Sequence, residues 1–175
     1  VAVSNPEGPQ VEIASIVPVS CYEGNDGSAR IKVTSSNSET IITWPDGQQG
    51  EQATGLTAGD YIVEVRDESM CVTFVSLTVP EPEGLAIDYA VKQPACYGGC
   101  DGAITLKAQG GNGDYTYTWE DGFQGAYKES LCAGSYEVTV VDGQGCRTST
   151  IITMLEPNPV VPGLGGEITI CEGQQ

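Results

Sequence analysis

An all-β fold of short strands and tight turns is predicted by three observations. The 175 residues include 23 glycines and ten prolines. Val and Thr are spread through the chain, with no long stretch of Ala, Leu, Glu and Lys to favour a helix. Several segments also alternate apolar and polar residues with a period of two, as half-buried strands do.

The elements can be taken in chain order. A leading strand is expected near Val11 to Val17, followed by "ARIKV", which turns Ile31 and Val33 inward and Lys32 outward. "YIVEVRD" places Tyr61, Val63 and Val65 on one face and Glu64 and Arg66 on the other, and "VTFVSLTV" follows it. The same succession then recurs: a strand near Leu85 to Val91, "AITLKA" with Ile104 and Leu106 inward and Lys107 outward, the aromatic "TYTYTWEDG", "YEVTVVD" with Tyr136, Val138 and Val140 inward, and "RTSTIITM". Six or seven strands in each half suit a small immunoglobulin-like sandwich. In both halves, Leu-x-Ala-Gly-x-Tyr precedes an alternating strand. This is the pattern of a tyrosine corner, in which the hydroxyl ties the preceding loop to the backbone.

The recurrence is an internal repeat. Cys21, Cys96 and Cys171 are each 75 residues apart, and residues 21–82 align with 96–157 without a gap, 25 of the 62 positions being identical. The shared positions include Asp26-Gly27 with Asp101-Gly102, Trp44 with Trp119, Asp46-Gly47 with Asp121-Gly122, and Cys71 with Cys146. Both repeats close on Glu-Pro. The expected organisation is a two-unit slice of a longer array: residues 1–6 as the tail of a preceding unit, 7–82 and 83–157 as two sandwiches, and 158–175 as a linker with the truncated start of a third unit. Units of this length fold as beads with their own cores. The short "EPEG" junction, stiffened by Pro82, predicts limited bending and hence two tandem sandwiches arranged as an elongated rod.

The order Cys, Gly, Asp-Gly, then "GGNGDYTYTW", "LCAGSYEVTVVD", Gly-Cys and Glu-Pro resembles the SprB-type repeat. Repeat one departs from it with Ser35-Ser36 in place of the Gly-Gly pair and Met70 in place of the Gly before the second cysteine. That family builds very large cell-surface adhesins of gliding and related Bacteroidota, exported by the type IX secretion system. The resemblance implies a stalk or adhesion segment on the cell surface, in contact with neighbouring repeats of its own polypeptide and with an extracellular polysaccharide or surface. It brings no catalytic residue. The alternative is a carbohydrate-binding or accessory module of a secreted hydrolase.

The chemistry-bearing residues fit an exported, non-enzymatic segment. Persistent disulfides are expected outside the cell. Strand reversal suggests Cys21 with Cys71, and Cys96 with Cys146 by the repeat. Cys100 and Cys132 stand where repeat one has Asn25 and Thr57, and this paired gain suggests a second bridge. The two bridges of repeat two are in tension. If the segment before Leu131 runs antiparallel beside the strand starting near Ala103, the Cys100 to Cys132 bridge becomes easy and the Cys96 to Cys146 bridge hard. Zinc held by these four cysteines is disfavoured, because structural zinc sites use tight cysteine knuckles in reducing compartments. Calcium suits an acidic chain better, with Asp26, Asp46, Asp67, Asp101, Asp121 and Asp142 as candidate ligands, although Asp-Gly is also ordinary turn chemistry. Phe123 and Tyr127 are candidates for stacking on a sugar.

The sequence contains no His, no Gly-x-Ser-x-Gly elbow and no phosphate-binding glycine loop, so no enzyme is expected. The net charge of -17 repels nucleic acid and anionic membrane surfaces. No apolar run approaches the roughly 18 residues that span a bilayer.

Overall fold

A computed structural model describes residues 8–36 and 38–160. The expected tail at residues 1–6 and the start of a third unit with Cys171 lie outside the described residues. Two compact units divide between Gly84 and Leu85. Twelve strands and no helix are found among the described residues.

In unit 1, β1 (Gln10–Val17), β2 (Gly27–Ser35) and β4 (Gln52–Leu56) form one sheet in the order β1-β2-β4. The strands β3 (Thr40–Thr43), β5 (Gly59–Asp67) and β6 (Val72–Val79) form the other, in the order β3-β5-β6. Unit 2 repeats the plan. Its strands β7 (Ala86–Lys92), β8 (Gly102–Gln109) and β10 (Tyr127–Leu131) pair as β7-β8-β10, and β9 (Thr116–Trp119), β11 (Gly134–Val141) and β12 (Arg147–Met154) pair as β9-β11-β12. Each unit is an immunoglobulin-like sandwich of six strands, with all of the pairing antiparallel.

The period-two pattern places the cores where expected. Ile31, Val63 and Val65 are fully buried in unit 1, as are Ile104, Val138 and Val140 in unit 2. Trp44 and Trp119 fill the sandwich centres, and each indole N–H donates at 2.9 Å to a turn carbonyl, Gly50 O or Gly125 O. That bond lets a large ring be buried without stranding its polar atom. The tyrosine corners form as well, with Tyr61 Oη donating to Thr57 O at 2.9 Å and Tyr136 Oη to Cys132 O at 2.8 Å.

Two features differ from a simple reading of the repeat. In β1, Ile13 pairs with Ile31 and Ser15 with Arg30, so Ala14 is an extra residue accommodated as a bulge. The matching strand β7 runs without a break against β8. The glycines of the Asp-Gly pairs also have different tasks. Gly47 and Gly122 occupy left-handed turn positions, at φ 88° and 83°. Gly102 instead opens β8, where an added Cβ would meet the Leu131 carbonyl at 2.8 Å and the Met154 sulfur.

Candidate functional site

The repeated loop residues 21–26 and 96–101 sit at the end of each sandwich from which the chain leaves it. In unit 1, Val19 N donates to Pro80 O at 3.1 Å and Glu23 N to a Glu81 carboxylate oxygen at 2.9 Å. In unit 2, Gly98 N donates to Glu156 Oε1 and Leu155 N to Gln93 Oε1. The loop is braced from within by its aspartate, for Asp26 Oδ1 accepts Ser20 N and Asp101 Oδ1 accepts Ala95 N, both at 2.9 Å. Hydrogen bonds from the Ser20 side chain and backbone hold the Asp26 carboxyl below its ordinary range.

The opposite end of each sandwich is organised by a second aspartate, Asp67 or Asp142, at the end of the central strand. Both are buried. Asp67 accepts Cys71 N at 2.9 Å. Asp142 accepts four donors: Asn112 N at 2.8 Å, Asn112 Nδ2 at 3.2 Å, Gln144 N at 3.0 Å and Cys146 N at 2.9 Å. Burial alone pushes the Asp142 carboxyl upward, but the hydrogen bonds from Asn112, Cys146 and Gln144 outweigh it and leave its pKa lowered.

The cysteines are distributed differently from the expected pattern. Cys100 and Cys132 are joined by a disulfide. Strand β10 lies antiparallel to β8 with Leu131 opposite Gly102, which brings the residues just outside these two strand ends together. Cys71 is a free thiol, so the expected Cys21 to Cys71 bridge does not form. The reason is the length of β6. Cys71 precedes its first residue and the Cys21 loop is bonded to its far end, a separation of roughly 26 Å for eight residues. A disulfide tolerates about 7 Å between Cα atoms. Strand β12 separates Cys96 from Cys146 in the same way, so these two are not partners, although each is disulfide-bonded.

The six candidate calcium ligands are not brought together either. They are dispersed over separate turns, and among the described residues no three acidic, Cys or His side chains converge on a metal position. Asp46 accepts Gln48 N at 3.0 Å, while Asp121 accepts Phe123 N at 3.1 Å and Lys128 Nζ at 2.6 Å. Asx-turn bonding accounts for both. Phe123 and Tyr127 are both exposed. Lys128 Nζ lies 5.5 Å from the Phe123 ring centre and 5.0 Å from that of Trp119, whereas the Tyr127 hydroxyl donates to Glu129 at 3.0 Å.

One feature was not singled out in the sequence: the outward face of β3-β5-β6. Ile41, Ile62 and Phe74 are 62%, 60% and 64% exposed there, beside a Glu64–Arg66 ion pair at 2.6 Å. The equivalent positions of unit 2 carry Thr116, Glu137 and Ser149. The alternation that predicts Val63 and Val65 inward also sends Ile62 outward, so comparing outward positions between the repeats could have revealed this face.

Residues 89–123 match the SprB repeat. This stretch runs from β7 through the turn that follows Trp119, and it contains the braced loop and Cys100 of unit 2. No curated protein matches the sequence. Among solved structures, the chain is similar to a C-terminal fragment of intimin crystallised with the intimin-binding domain of its translocated receptor. The identity is 18% and the TM-score 0.42, over 83% of this chain and 63% of that one. The chain thus spans less than two thirds of that fragment. It is also similar to the mouse nectin-like molecule 4 ectodomain, at 14% identity and TM-score 0.37 over 90% of this chain and 67% of that one. A third similar structure is the two-domain DIP-gamma, at 12% identity and TM-score 0.33 over 83% of this chain and 97% of that one.

Proposed function

We propose that this chain is a stalk and attachment segment of a repetitive adhesin displayed outside the cell. The observation that carries the reading is the SprB repeat at residues 89–123. A disulfide within unit 2 suits an oxidising exterior, and the described residues contain no helix long and apolar enough to cross a membrane. In this role the sandwiches act as spacers, and surface attachment, including attachment during gliding, is made by exposed faces.

The attachment face we assign is the outward side of β3-β5-β6 in unit 1, and its target is an apolar surface. Its only ion pair is internally neutral, in a chain whose net charge is -17. Anionic surfaces repel the chain as a whole, while burying an exposed Ile or Phe gains about 1.5–3 kcal/mol.

The test is retention of protein-coated beads on alkyl-coated and on bare glass. The I41T/I62E/F74S variant installs the residues that unit 2 carries at these positions and is expected to stay folded. Loss of retention on alkyl-coated glass supports the assignment, and equal retention of variant and natural protein refutes it.

A further inference from the structure

The two units differ in what closes one side of the sandwich, between β3 and β2 in unit 1 and between β9 and β8 in unit 2. In unit 2 two tyrosines stand there. Tyr117 packs against the core and its Oη accepts Ala108 N at 2.9 Å, while Tyr115 Oη donates to Gly110 O at 2.6 Å. The repeat places Ile42 and Thr40 at these positions in unit 1, so both rings are missing. Val33 in place of Ala108 returns part of the lost volume. A solvent-open cavity of about 380 Å³ remains, lined by the half-buried Val33 and the buried Ile42 and, toward solvent, by Thr40, Ile41, Gln49 and Glu51. A cavity of about 150 Å³ holds a benzene ring, so there is room for an aromatic side chain.

The backbone carries the same difference. Ile31 N donates to Glu51 O at 2.9 Å and Leu106 N to Ala126 O at 2.7 Å. Two residues further on, the N–H points to the same side of its strand. There Ala108 N meets the Tyr117 hydroxyl. Val33 N lies past the last pair of β2 with β4, Arg30 with Gln52, and the Ile42 side chain has no oxygen to offer it.

We propose that this cavity is a socket for the phenol ring of a tyrosine presented by another polypeptide. The ring lies over Val33 and Ile42, and its hydroxyl accepts the Val33 N–H as the Tyr117 hydroxyl accepts that of Ala108. That N–H selects tyrosine among aromatic residues, since Phe offers no acceptor and Trp only a second donor. Glu51 at the rim and the net charge of -17 favour basic or neutral residues beside the tyrosine. Strand β3 is paired only with β5, so an extended segment can approach along its open edge. The inference goes beyond the attachment reading and does not depend on it.

The experiment titrates the ¹⁵N-labelled full chain with the acetylated and amidated peptide Lys-Thr-Tyr-Thr-Lys, with the same peptide carrying Phe for Tyr, and with 4-methylphenol. The expected result is saturable amide shifts at Val33, Ile42 and Gly50 with a Kd on the order of 1 mM for the tyrosine peptide. The Phe peptide should bind about threefold or more weakly. Two variants install residues of unit 2: V33A/I42Y fills the socket from within, and Thr40→Tyr sets a ring against its outer wall. Each is expected to abolish the Gly50 shift while keeping a dispersed spectrum, and Thr40→Tyr keeps the test open if the double variant does not fold. The proposal is overturned if no saturable shift appears by about 10 mM peptide, if the Phe peptide matches the Tyr peptide, or if folded variants bind like the natural chain. It is also overturned if 4-methylphenol binds and the peptide does not, because the socket would then serve a free phenol. Both variants leave Ile41, Ile62 and Phe74 in place, so bead retention on alkyl-coated glass is decided separately.

Discussion

Replacing Cys100 and Cys132 with the residues that repeat one carries at these positions, C100N/C132T, removes the disulfide and introduces side chains known to suit the same turn. The bond closes a sequence separation of 32 residues. In the chain-entropy account a loop of this size is worth about 3.7 kcal/mol at 25 °C. Residual structure in the unfolded chain reduces this, so a loss of about 2–4 kcal/mol is expected, a large part of the stability of a sandwich this small. At a urea slope of about 1–3 kcal/mol per molar, the midpoint of unit 2 falls by about 0.7–4 M. Hydrogen exchange with mass spectrometry across a urea series separates peptides of residues 8–84 from those of 85–160, so each unit is read by its own amides. The unit 1 midpoint should not move. A unit 2 shift below about 0.3 M would refute the reasoning, because the pairing of Leu131 with Gly102 would then hold β10 against β8 without help from the bond. An equal shift in unit 1 would show that the effect is not one of loop closure.

Further expectations concern the turns and corners. Gly102→Ala forces a Cβ against the Leu131 carbonyl and should cost about 1–3 kcal/mol, whereas the same change at the exposed Gly143 should cost less; urea midpoints compare them. Tyr136→Phe removes the 2.8 Å bond to Cys132 O and should cost about 0.5–1.5 kcal/mol, read by the same titration. For Asp142 the folded pKa lies below the unfolded value of about 3.9, so its contribution is fully present above that pH and is lost as pH falls through the folded value. Asp142→Asn should therefore flatten the acid limb of the stability profile between neutral pH and pH about 2, and an unchanged limb would contradict the assignment. The I41T/I62E/F74S variant should match the natural chain in unfolding free energy, read by urea titration, to within about 0.5 kcal/mol, since it alters only outward positions.

The sequence by itself determined the repeat, the all-β class and the inward faces, because these depend on local periodicity. Tyr61, Val63 and Val65 alternate over one strand, and a period of two needs no knowledge of which strand lies alongside. The tyrosine corners were legible for the same reason, since each bond spans four residues. The short strands Gln52–Leu56 and Tyr127–Leu131 have too little alternation to announce themselves, and their place beside β2 and β8 depends on pairing across the sheet. That placement decided the cysteines. It brought Cys100 to Cys132, and the lengths of β6 and β12 held Cys21 from Cys71 and Cys96 from Cys146. Counting strand reversals could not find this, because the chain changes sheets on the way and a sandwich has two ends for every strand. The acidic residues show the same limit: Asp-Gly spacing identifies turns, but only the tertiary structure shows that each carboxylate is committed to its own backbone donors. The outward positions of Ile41, Ile62 and Phe74 were within reach of the alternation, but that they share one face was decided by the pairing of β3 and β6 with β5.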